Sequence, residues 1–366
     1  MIDRRLFTNF DWKMLLLVLL ISAVGVLNIY SASASYNTAG IPYALKQFYW
    51  IIIGLGLLLF TCSIDYHLLE DVSYWFYGIL IVFLLLVLLV GKTSMGATRW
   101  LHLGFFTMQP SEPMKIVIII TFARFFSRHQ PVSGMGFREV VLPMAILSVP
   151  AILIMKQPDL GTATMVCLVA GTIILAVGIK WRVVITMLLA AVPACYVSWH
   201  YLLRAYQKNR VLNFLNPERD PLKSGYHLIQ SKIAVGSGGL SGKGFLHGTQ
   251  SQLRFLPEQH TDFAFSVFAE EWGFWVCAMM LFLYAALILW GLHVASRCND
   301  RFGTLLAVGV TAMIFWHIVI NMGMVIGLFP VVGVPLPFFS YGGTSMITSM
   351  LGAGLLLNVS MRRFMF

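Results

Sequence analysis

The feature that most constrains this chain is a series of long apolar runs that recur along almost its whole length. Runs of roughly 17 to 25 mostly apolar residues are long enough to cross a bilayer as helices. Because lipid offers the backbone no hydrogen bonds, membrane-crossing segments must be helices or a closed barrel, and continuous apolar sequence selects helices. With 58% hydrophobic and only 11% charged residues, a soluble globular protein is excluded.

The sequence therefore predicts an all-α polytopic membrane protein of about ten transmembrane helices, forming a single domain over residues 1–366. A long loop at 204–262 separates the seventh helix from the eighth. The predicted spans are residues 12–33, 46–63, 74–91, 111–127, 139–155, 160–179, 181–203, 263–293, 304–328 and 342–360.

The distribution of Lys and Arg predicts the orientation. An even number of spans places both termini on one side of the membrane. Twelve Lys and Arg then lie on that side, against five in or beside the short segments opposite and eight in the long loop. By the positive-inside rule the side of the termini is cytoplasmic, so the long loop lies on the outer face. The acidic 64–73 loop is an exception to this pattern.

The N-terminus and the cysteines add little functional signal. SASAS at 31–35 resembles a signal-peptide cleavage site, but the apolar run from Met14 to Tyr30 exceeds the usual ~7 to 15 residues, so we expect it to remain as the first span. The five cysteines lie in or beside spans, with no spacing that indicates a disulfide framework or a zinc site.

A carboxylate stands at the mouth of the eighth span, where LPEQHTDFAFSVFAEE passes from polar to apolar sequence without a spacer. Asp262 ends the polar part. Partial desolvation at such a position can raise the pKa of a carboxyl group and let it act as a base. We therefore expect Asp262 to be catalytic.

The long outer loop is net basic on a side where basic residues are otherwise sparse. Long loops are partly exempt from the charge rule, so this charge fits either no function or an anionic partner. Within the loop, GSGGLSGKG at 236–244 fails the Walker pattern because Gly244 follows Lys243. Its glycines and Lys243 could bind a phosphate or form a flexible turn, and both interpretations stay open.

Other polar residues stand at span ends on the same side. Glu112 and Lys115 lie three apart on one helix face, either as a self-compensating ion pair or facing a cavity with Asp262. Asp159, in KQPDLGT, either caps the sixth span or adds a second carboxylate to that cavity.

A Pro- and Gly-rich segment, PVVGVPLPFFSYGGTS at 330–345, interrupts an apolar stretch before the tenth span. Broken backbone at bilayer depth must be buried in protein or line a wet cavity. We expect a re-entrant wall of the site, where Ser340 and Tyr341 offer hydroxyl groups.

These motifs together resemble the SEDS family (shape, elongation, division and sporulation) over nearly the whole chain and in the right order. The resemblance is carried by GATRWL with QPSE, KQPDLGT, GYHLIQSKIAVGSGGLSGKGFLHGTQSQLRFLPEQHTDFAFSVFAEE and GVPLPFFSYGGTS. The stretch QSKIAVGSGGLSGKGFLHGTQSQL is similar to the rod-shape elongation branch rather than the division branch.

The resemblance implies a multi-pass protein of the bacterial cytoplasmic (inner) membrane, with both termini cytoplasmic. It implies a peptidoglycan glycosyltransferase that polymerises lipid II on the outer, periplasmic face. The implied partners are a class B penicillin-binding protein, which is a transpeptidase, other elongation-complex membrane proteins and membrane lipid, with no nucleic acid.

The resemblance also implies roles for residues. The family's catalytic aspartate falls on Asp262, and its acidic and basic pair falls on Glu112 and Lys115. Pro113 stands where the family more often has an ordinary helix former, which leaves the direction of the Glu112 side chain open. The residues predicted to bind substrate are Glu112, Lys115, Arg99, Asp159, Arg210, Lys243 and Ser340.

The implied chemistry fits these residues. A lipid-linked sugar diphosphate donor needs positive charge for the leaving diphosphate and a base for the incoming hydroxyl. An α-linked donor that gives a β-1,4-linked polymer is inverted, which one displacement with a single base achieves. We expect Asp262 to deprotonate the acceptor GlcNAc 4-hydroxyl, and Arg210, Lys243 or Lys115 to stabilise the diphosphate. A divalent cation, Mg²⁺ or Mn²⁺, is a further expectation without supporting ligand spacing, and no organic cofactor is expected.

Two other functions stay open at this point. In a lipid II flippase, Asp262, Glu112 and Lys115 would form a translocation path. Such a path would also place charges near the midplane, whereas the polar groups here cluster toward the outer ends of the spans. A non-catalytic scaffold of the elongation machinery would leave the outer carboxylate unexplained.

Overall fold

The computed structural model describes residues 10–35, 41–94, 97–102, 107–129, 134–202, 205–216, 224–256 and 258–363. The long helices are α1 Trp12–Ser33, α2 Tyr43–Ser63, α3 His67–Val90, α4 Ser111–Arg128, α5 Phe137–Lys156, α6 Leu160–Val177, α7 Trp181–Val197, α11 Ala264–Arg297, α12 Arg301–Ile326 and α13 Gly343–Arg362. The shorter helices between α7 and α11 are α8 Ala205–Leu215, α9 Ser224–Ser237 and α10 Thr249–Gln252.

Each of the ten predicted spans coincides with a long helix, which confirms the polytopic helical fold. Within the described residues, nine of these helices are long and apolar enough to cross a membrane. The tenth, α4, holds four charged residues, including Glu112 and Lys115, and is too polar to meet the same test. Most of its side chains are buried where it packs against α3, α6 and α12, so protein rather than lipid surrounds Glu112 and Lys115.

The centre of the bundle is formed by α12 and α13, which bury most of their side chains, whereas most of α3 is exposed. Small residues allow close approach of the helices, as is usual where lipid supplies no hydrophobic drive for association. At Gly354 of α13, an added Cβ would lie 2.0 Å from the Thr61 hydroxyl of α2. These two helices are in close contact along their length.

The structure adds two features that the sequence did not predict. A small antiparallel sheet, ordered β1-β2-β3, lies between α3 and α4 and departs from the purely helical prediction; its strands are β1 Lys92–Ser94, β2 Ala97–His102 and β3 Thr107–Met108. In addition, α11 is broken at Gly273, whose φ of 71° and ψ of −171° are not helical. About half of the predicted 204–262 loop is folded into the three short helices.

Some predictions fall outside the described residues. These include the basic residues at 4 and 5, and part of the charge of the long loop, at 204 and 217–223.

Candidate active site

The Asp262 carboxylate lines a cavity of about 480 Å³, here named the Asp262 cavity. Four helices begin around it, since α4, α6 and α13 contribute first-turn residues and α11 starts two residues after Asp262. The charged residues of the lining are Arg99, Glu112, Asp159, Glu258 and Asp262. Helix N-termini carry partial positive charge, which offsets part of the negative charge of the four carboxylates in this lining.

The environment of Asp262 alters its acidity. Burial is the main cause that raises the pKa of Asp262 to about 6, and the negative charges of Glu258 and Asp159 act in the same direction. The guanidinium groups of Arg99 and Arg210 oppose this rise. Such a carboxyl group is mostly ionised at neutral pH, yet basic enough to accept a proton in a reaction.

Asn321 of α12 holds the backbone of Asp262 in place. Its side-chain amide donates hydrogen bonds to the carbonyl oxygen of Asp262 at 3.0 Å and to that of Val334 at 2.7 Å. Across the cavity wall, Gly333 has φ +71°, and a Cβ there would lie 3.2 Å from the Asp262 carboxylate. The carboxylate therefore lies directly against the 330–345 segment, which forms part of the cavity wall.

A buried network runs behind the cavity from α4 to α12. The Lys115 ammonium donates to both carboxylate oxygens of Glu112, at 2.9 and 3.0 Å, and lies 2.8 Å from Nε2 of His317. His317 Nδ1 lies 3.0 Å from the carbonyl oxygen of Pro335. Since a carbonyl only accepts, Nδ1 carries the proton and Nε2 accepts from Lys115.

The ion-pair interpretation of Glu112 and Lys115 holds in the structure, and the cavity interpretation holds for Glu112 alone. They form an ion pair, and Glu112 also faces the Asp262 cavity, while Lys115 is buried behind it. Pro113 does not prevent this arrangement.

Asp159 likewise combines the two roles considered for it. It caps α6 by accepting hydrogen bonds from the backbone N–H and the hydroxyl of Thr162, and it lines the cavity. Gln109 donates to the same carboxylate at 2.8 Å, and Arg99 approaches it at 3.8 Å. Arg99 also donates to the carbonyl oxygen of Pro158. The sheet strand that carries Arg99 is thereby fixed to the start of α6.

Besides Lys115, three predicted substrate-binding residues lie outside the lining of the Asp262 cavity. Arg210 lies on α8, in a neighbouring cavity. Ser340 is buried, and its hydroxyl accepts a hydrogen bond from the backbone N–H of Leu336, so it braces the 330–345 segment. Lys243 lies in an ion pair with Glu270, whose carboxylate is 2.6 Å away.

Lys243 belongs to a structure that we name the glycine-loop junction, formed by residues 238–244 and 270–275. There the backbone N–H groups of Lys243 and Gly244 donate to the carbonyl oxygens of Glu270 and Glu271, at 3.0 and 2.9 Å. An added Cβ on Gly273 would lie 2.2 Å from the Gly242 nitrogen. The loop therefore inserts into the break in α11, and those two amides are engaged by the helix rather than available for a phosphate.

Sequence reasoning missed Glu258, His317 and Asn321. His317 and Asn321 are polar residues four apart in the apolar sequence of α12, which is a signal that both occupy one face toward the protein interior. Glu258 was counted only as part of the charge of the loop. Within the described residues, no group of three His, Cys, Asp or Glu side chains is placed to hold a metal ion.

Comparison with known proteins gives relatives over nearly the whole chain. The sequence is 40% identical over 360 residues to the peptidoglycan glycosyltransferase MrdB of Escherichia coli (strain K12), covering 98% of this chain and 95% of that protein. It is 33% identical to the peptidoglycan glycosyltransferase RodA of Treponema pallidum, covering 97% and 98% of the two chains.

Solved structures share the fold. A chain from a peptidoglycan synthase complex, described as coordinating polymerization and crosslinking, matches with a TM-score of 0.84 and 31% identity, over 98% of this chain and 99% of that one. The rod shape determining protein RodA of Thermus thermophilus matches with a TM-score of 0.71 and 28% identity, over 97% and 98%.

The family assignment follows from these matches. The FtsW/RodA/SpoVE model, described as cell cycle protein, matches residues 11–364, which covers nearly all of the chain. This match confirms the resemblance seen in the sequence motifs. The chain belongs to the FtsW/RodA/SpoVE family.

Proposed function

We propose that this chain is an inverting peptidoglycan glycosyltransferase that polymerises lipid II into β-1,4-linked glycan strands during cell elongation. Relatives with this named activity match it over nearly their whole length. The observation that carries the mechanism is the Asp262 carboxylate, which lines the cavity with a pKa of about 6 and, among the described residues, without a hydrogen-bond or ion-pair partner of its own.

In this mechanism Asp262 is the general base. Its carboxylate takes the proton from the 4-hydroxyl of the acceptor GlcNAc as that oxygen attacks the anomeric carbon of the donor MurNAc. The bond from that carbon to the diphosphate breaks on the opposite face, so the α-linkage becomes β. The aromatic faces of Trp50, Trp100 and Tyr341 line the same cavity and offer apolar surfaces to the sugar rings.

Positive charge is needed where the diphosphate leaves. Arg99 lines the cavity, and the N-termini of α4 and α13 open onto it. Lys115 contributes less directly, since its ammonium is occupied by Glu112 and His317. A divalent cation, Mg²⁺ or Mn²⁺, would enter as a companion of the substrate diphosphate, because the described side chains supply no ready-made cluster of ligands.

The proposed location is the bacterial cytoplasmic membrane, with both termini cytoplasmic and the Asp262 cavity on the outer face. The excess of Lys and Arg at the opposite ends of the helices supports this orientation. A lipid-linked substrate would then reach the cavity from the outer leaflet.

The proposed partner is a class B penicillin-binding protein. The matching synthase complex, described as coordinating polymerization and crosslinking, supports pairing of this chain with a crosslinking enzyme. Other elongation-complex membrane proteins and membrane lipid would surround the pair.

Polymerisation of purified lipid II in detergent, with and without a class B penicillin-binding protein, tests this function. Wild type should yield glycan strands. Asp262→Asn, which keeps the shape and removes the base, should lower the rate by about 10² to 10⁴-fold. Asp71→Asn is the matched control, since Asp71 is an exposed carboxylate remote from the cavity that pairs with Arg128.

Equal rates for wild type and a folded Asp262→Asn variant would refute the role of the base. No polymer from wild type, even with partner and Mg²⁺ or Mn²⁺ present, would refute the enzyme assignment and favour lipid II transport or a scaffold.

A further inference from the structure

A second polar cavity adjoins the active site. It has a volume of about 220 Å³, less than half that of the Asp262 cavity, and we name it the Arg210 cavity. Its lining consists of Arg210, Asn213, Phe214, His227, Leu228 and Val331. It is too small for a disaccharide with its peptide, but suits a compact headgroup.

The sequence of α8 and α9 explains this cavity. Residues 210, 213 and 214 are spaced three and four apart, so they lie on one face of α8. On α9, His227 lies one turn before the fully buried Ser231, whose hydroxyl donates to the carbonyl oxygen of Val325 at 2.7 Å. The hydroxyls of Ser231 and Ser266 are also 2.9 Å apart. These contacts fix α9 against α11 and α12, with His227 facing inward.

The cavity presents groups that suit an anion. Arg210 supplies a permanent positive charge and a planar set of N–H donors. The Nδ1 atom of His227 is buried and has no hydrogen-bond partner in the part of the chain that the structure describes. A polar atom in that position is costly unless a ligand or water satisfies it.

The two cavities are lined by the same chain segment, and charged groups of each influence the titratable groups of the other. Val331 lines the Arg210 cavity, while Gly333 and Pro335 of the same segment line the Asp262 cavity. The charge of Arg210 acts on Asp262, and the charge of Glu258 acts on both Asp262 and His227. A single extended substrate could therefore occupy both cavities at once.

The chemistry of the proposed reaction requires two diphosphates. The diphosphate of the donor is bonded to the reacting carbon, so it must lie in the Asp262 cavity. The acceptor keeps its own diphosphate, which is separated from the attacking 4-hydroxyl by the two sugar rings of the disaccharide. That second diphosphate must therefore lie beside the reaction cavity, not in it.

We propose that the Arg210 cavity binds the diphosphate of the acceptor lipid II, through Arg210 and His227, while the Asp262 cavity receives the diphosphate of the donor. This assignment rests on the proposed function, because only a reaction between two lipid-linked diphosphates needs both sites. Arg210 is here a binding residue for the acceptor, not a group that stabilises the leaving diphosphate.

Lipid II kinetics test the proposal. Arg210→Gln should raise the KM for lipid II at least about tenfold, since a charge-assisted contact is lost, and change kcat much less. His227→Gln should raise KM by a smaller factor, and Arg210→Lys should restore part of the loss. Lys208→Gln, on the same helix but outside the cavity lining, should leave both constants unchanged. Thermal unfolding in detergent confirms that each variant is folded.

Binding without turnover separates the two proposals. In native mass spectrometry with undecaprenyl diphosphate as the probe, wild type should bind two molecules and Arg210→Gln one. Phosphatidylglycerol, a phosphate monoanion, should not displace the second molecule, whereas displacement at equal concentration would identify a general headgroup site and overturn the proposal.

An unchanged KM, or two bound molecules in folded Arg210→Gln, would also overturn it. A third outcome separates the two proposals. If wild type bound two molecules and Arg210→Gln bound one, but wild type did not polymerise lipid II, the proposed enzyme function would be wrong and the diphosphate site would be supported.

Discussion

The Asp262 cavity and the glycine-loop junction contain similar groups in very different states. Each has carboxylates near the first half of α11, basic residues nearby and a glycine with positive φ. In the junction, the fully buried Glu270 carboxylate accepts from Lys243, from the Thr249 hydroxyl and from the Gln250 backbone N–H. In the cavity, the Asp262 carboxylate faces open space and its pKa is raised to about 6.

The contrast shows how a carboxylate engaged in the fold differs from one that stays available to a ligand in the same protein. A buried carboxylate whose oxygens are filled with donors stabilises the fold and has no capacity left for a substrate. A carboxylate held by its backbone, with its oxygens free, keeps that capacity. Asn321 achieves this by bonding to the carbonyl oxygen of Asp262 and not to its carboxylate.

The largest expected effect comes from the buried ion pair behind the cavity. Lys115→Met should lower the free energy of unfolding by roughly 3 to 5 kcal/mol, because it leaves the Glu112 carboxylate buried without its partner. Adding Glu112→Gln should recover most of that stability. Polymerisation should stay low in the double variant, since Glu112 faces the substrate cavity.

Thermal unfolding and lipid II polymerisation, measured on the same samples, check both parts. Full activity in the stable double variant would show that the pair is structural, as in the glycine-loop junction.

The break in α11 should be nearly as sensitive. Gly273→Ala places a Cβ 2.2 Å from the Gly242 nitrogen, at a φ of 71° that L residues rarely adopt, so we expect a loss of roughly 3 kcal/mol. Gly78→Ala in α3 is the matched control, because an added Cβ there meets open space. If the two variants unfolded at the same temperature in detergent, the tight insertion of the loop would be wrong.

The ion pair of the junction should matter less than the pair behind the cavity. Lys243→Met should cost about 2 kcal/mol, since the Lys243 side chain is 27% exposed and two other donors remain on Glu270. Activity per folded molecule should be unchanged, and Lys243→Met with Glu270→Gln should be more stable than Lys243→Met alone. A selective rise in the lipid II KM would instead return Lys243 to the binding site predicted from sequence.

The parts of the fold and site that could be predicted are those whose sequence pattern is local to the residues concerned. Ten helices were predictable because apolar runs report membrane crossing directly. Asp262, Glu112 and Asp159 were recognisable because carboxylates at span ends are costly without a purpose. Lys243 was predicted to bind substrate from the local pattern around it, which does not reveal that it pairs with Glu270, 27 residues further on.

Other parts required the three-dimensional structure. Glycine is common in membrane helices, so the sequence does not predict that α11 is broken at Gly273 or that the glycine loop inserts there. The sequence of α12 does not indicate which backbone carbonyl groups His317 and Asn321 contact. The sheet that holds Arg99 has strands of only two to six residues, too short for an alternating pattern to stand out.

The smallest expected effect is on the pH dependence of the rate. It tests whether neighbouring charges in the cavity alter the pKa of Asp262. Asp262 acts as a base only when ionised, so with a pKa of about 6 the rate should fall roughly tenfold per pH unit below that value. The negative charge of Glu258 disfavours a second charge beside it, so Glu258→Gln should lower the pKa of Asp262 and move the acidic limb to lower pH. Profiles of kcat/KM against pH for lipid II polymerisation report the pKa of the free enzyme and measure this, with Asp71→Asn as the control. An acidic limb that stays in place would show that Glu258 does not contribute to the raised pKa, and one that moves to higher pH would contradict the arrangement of charges around Asp262.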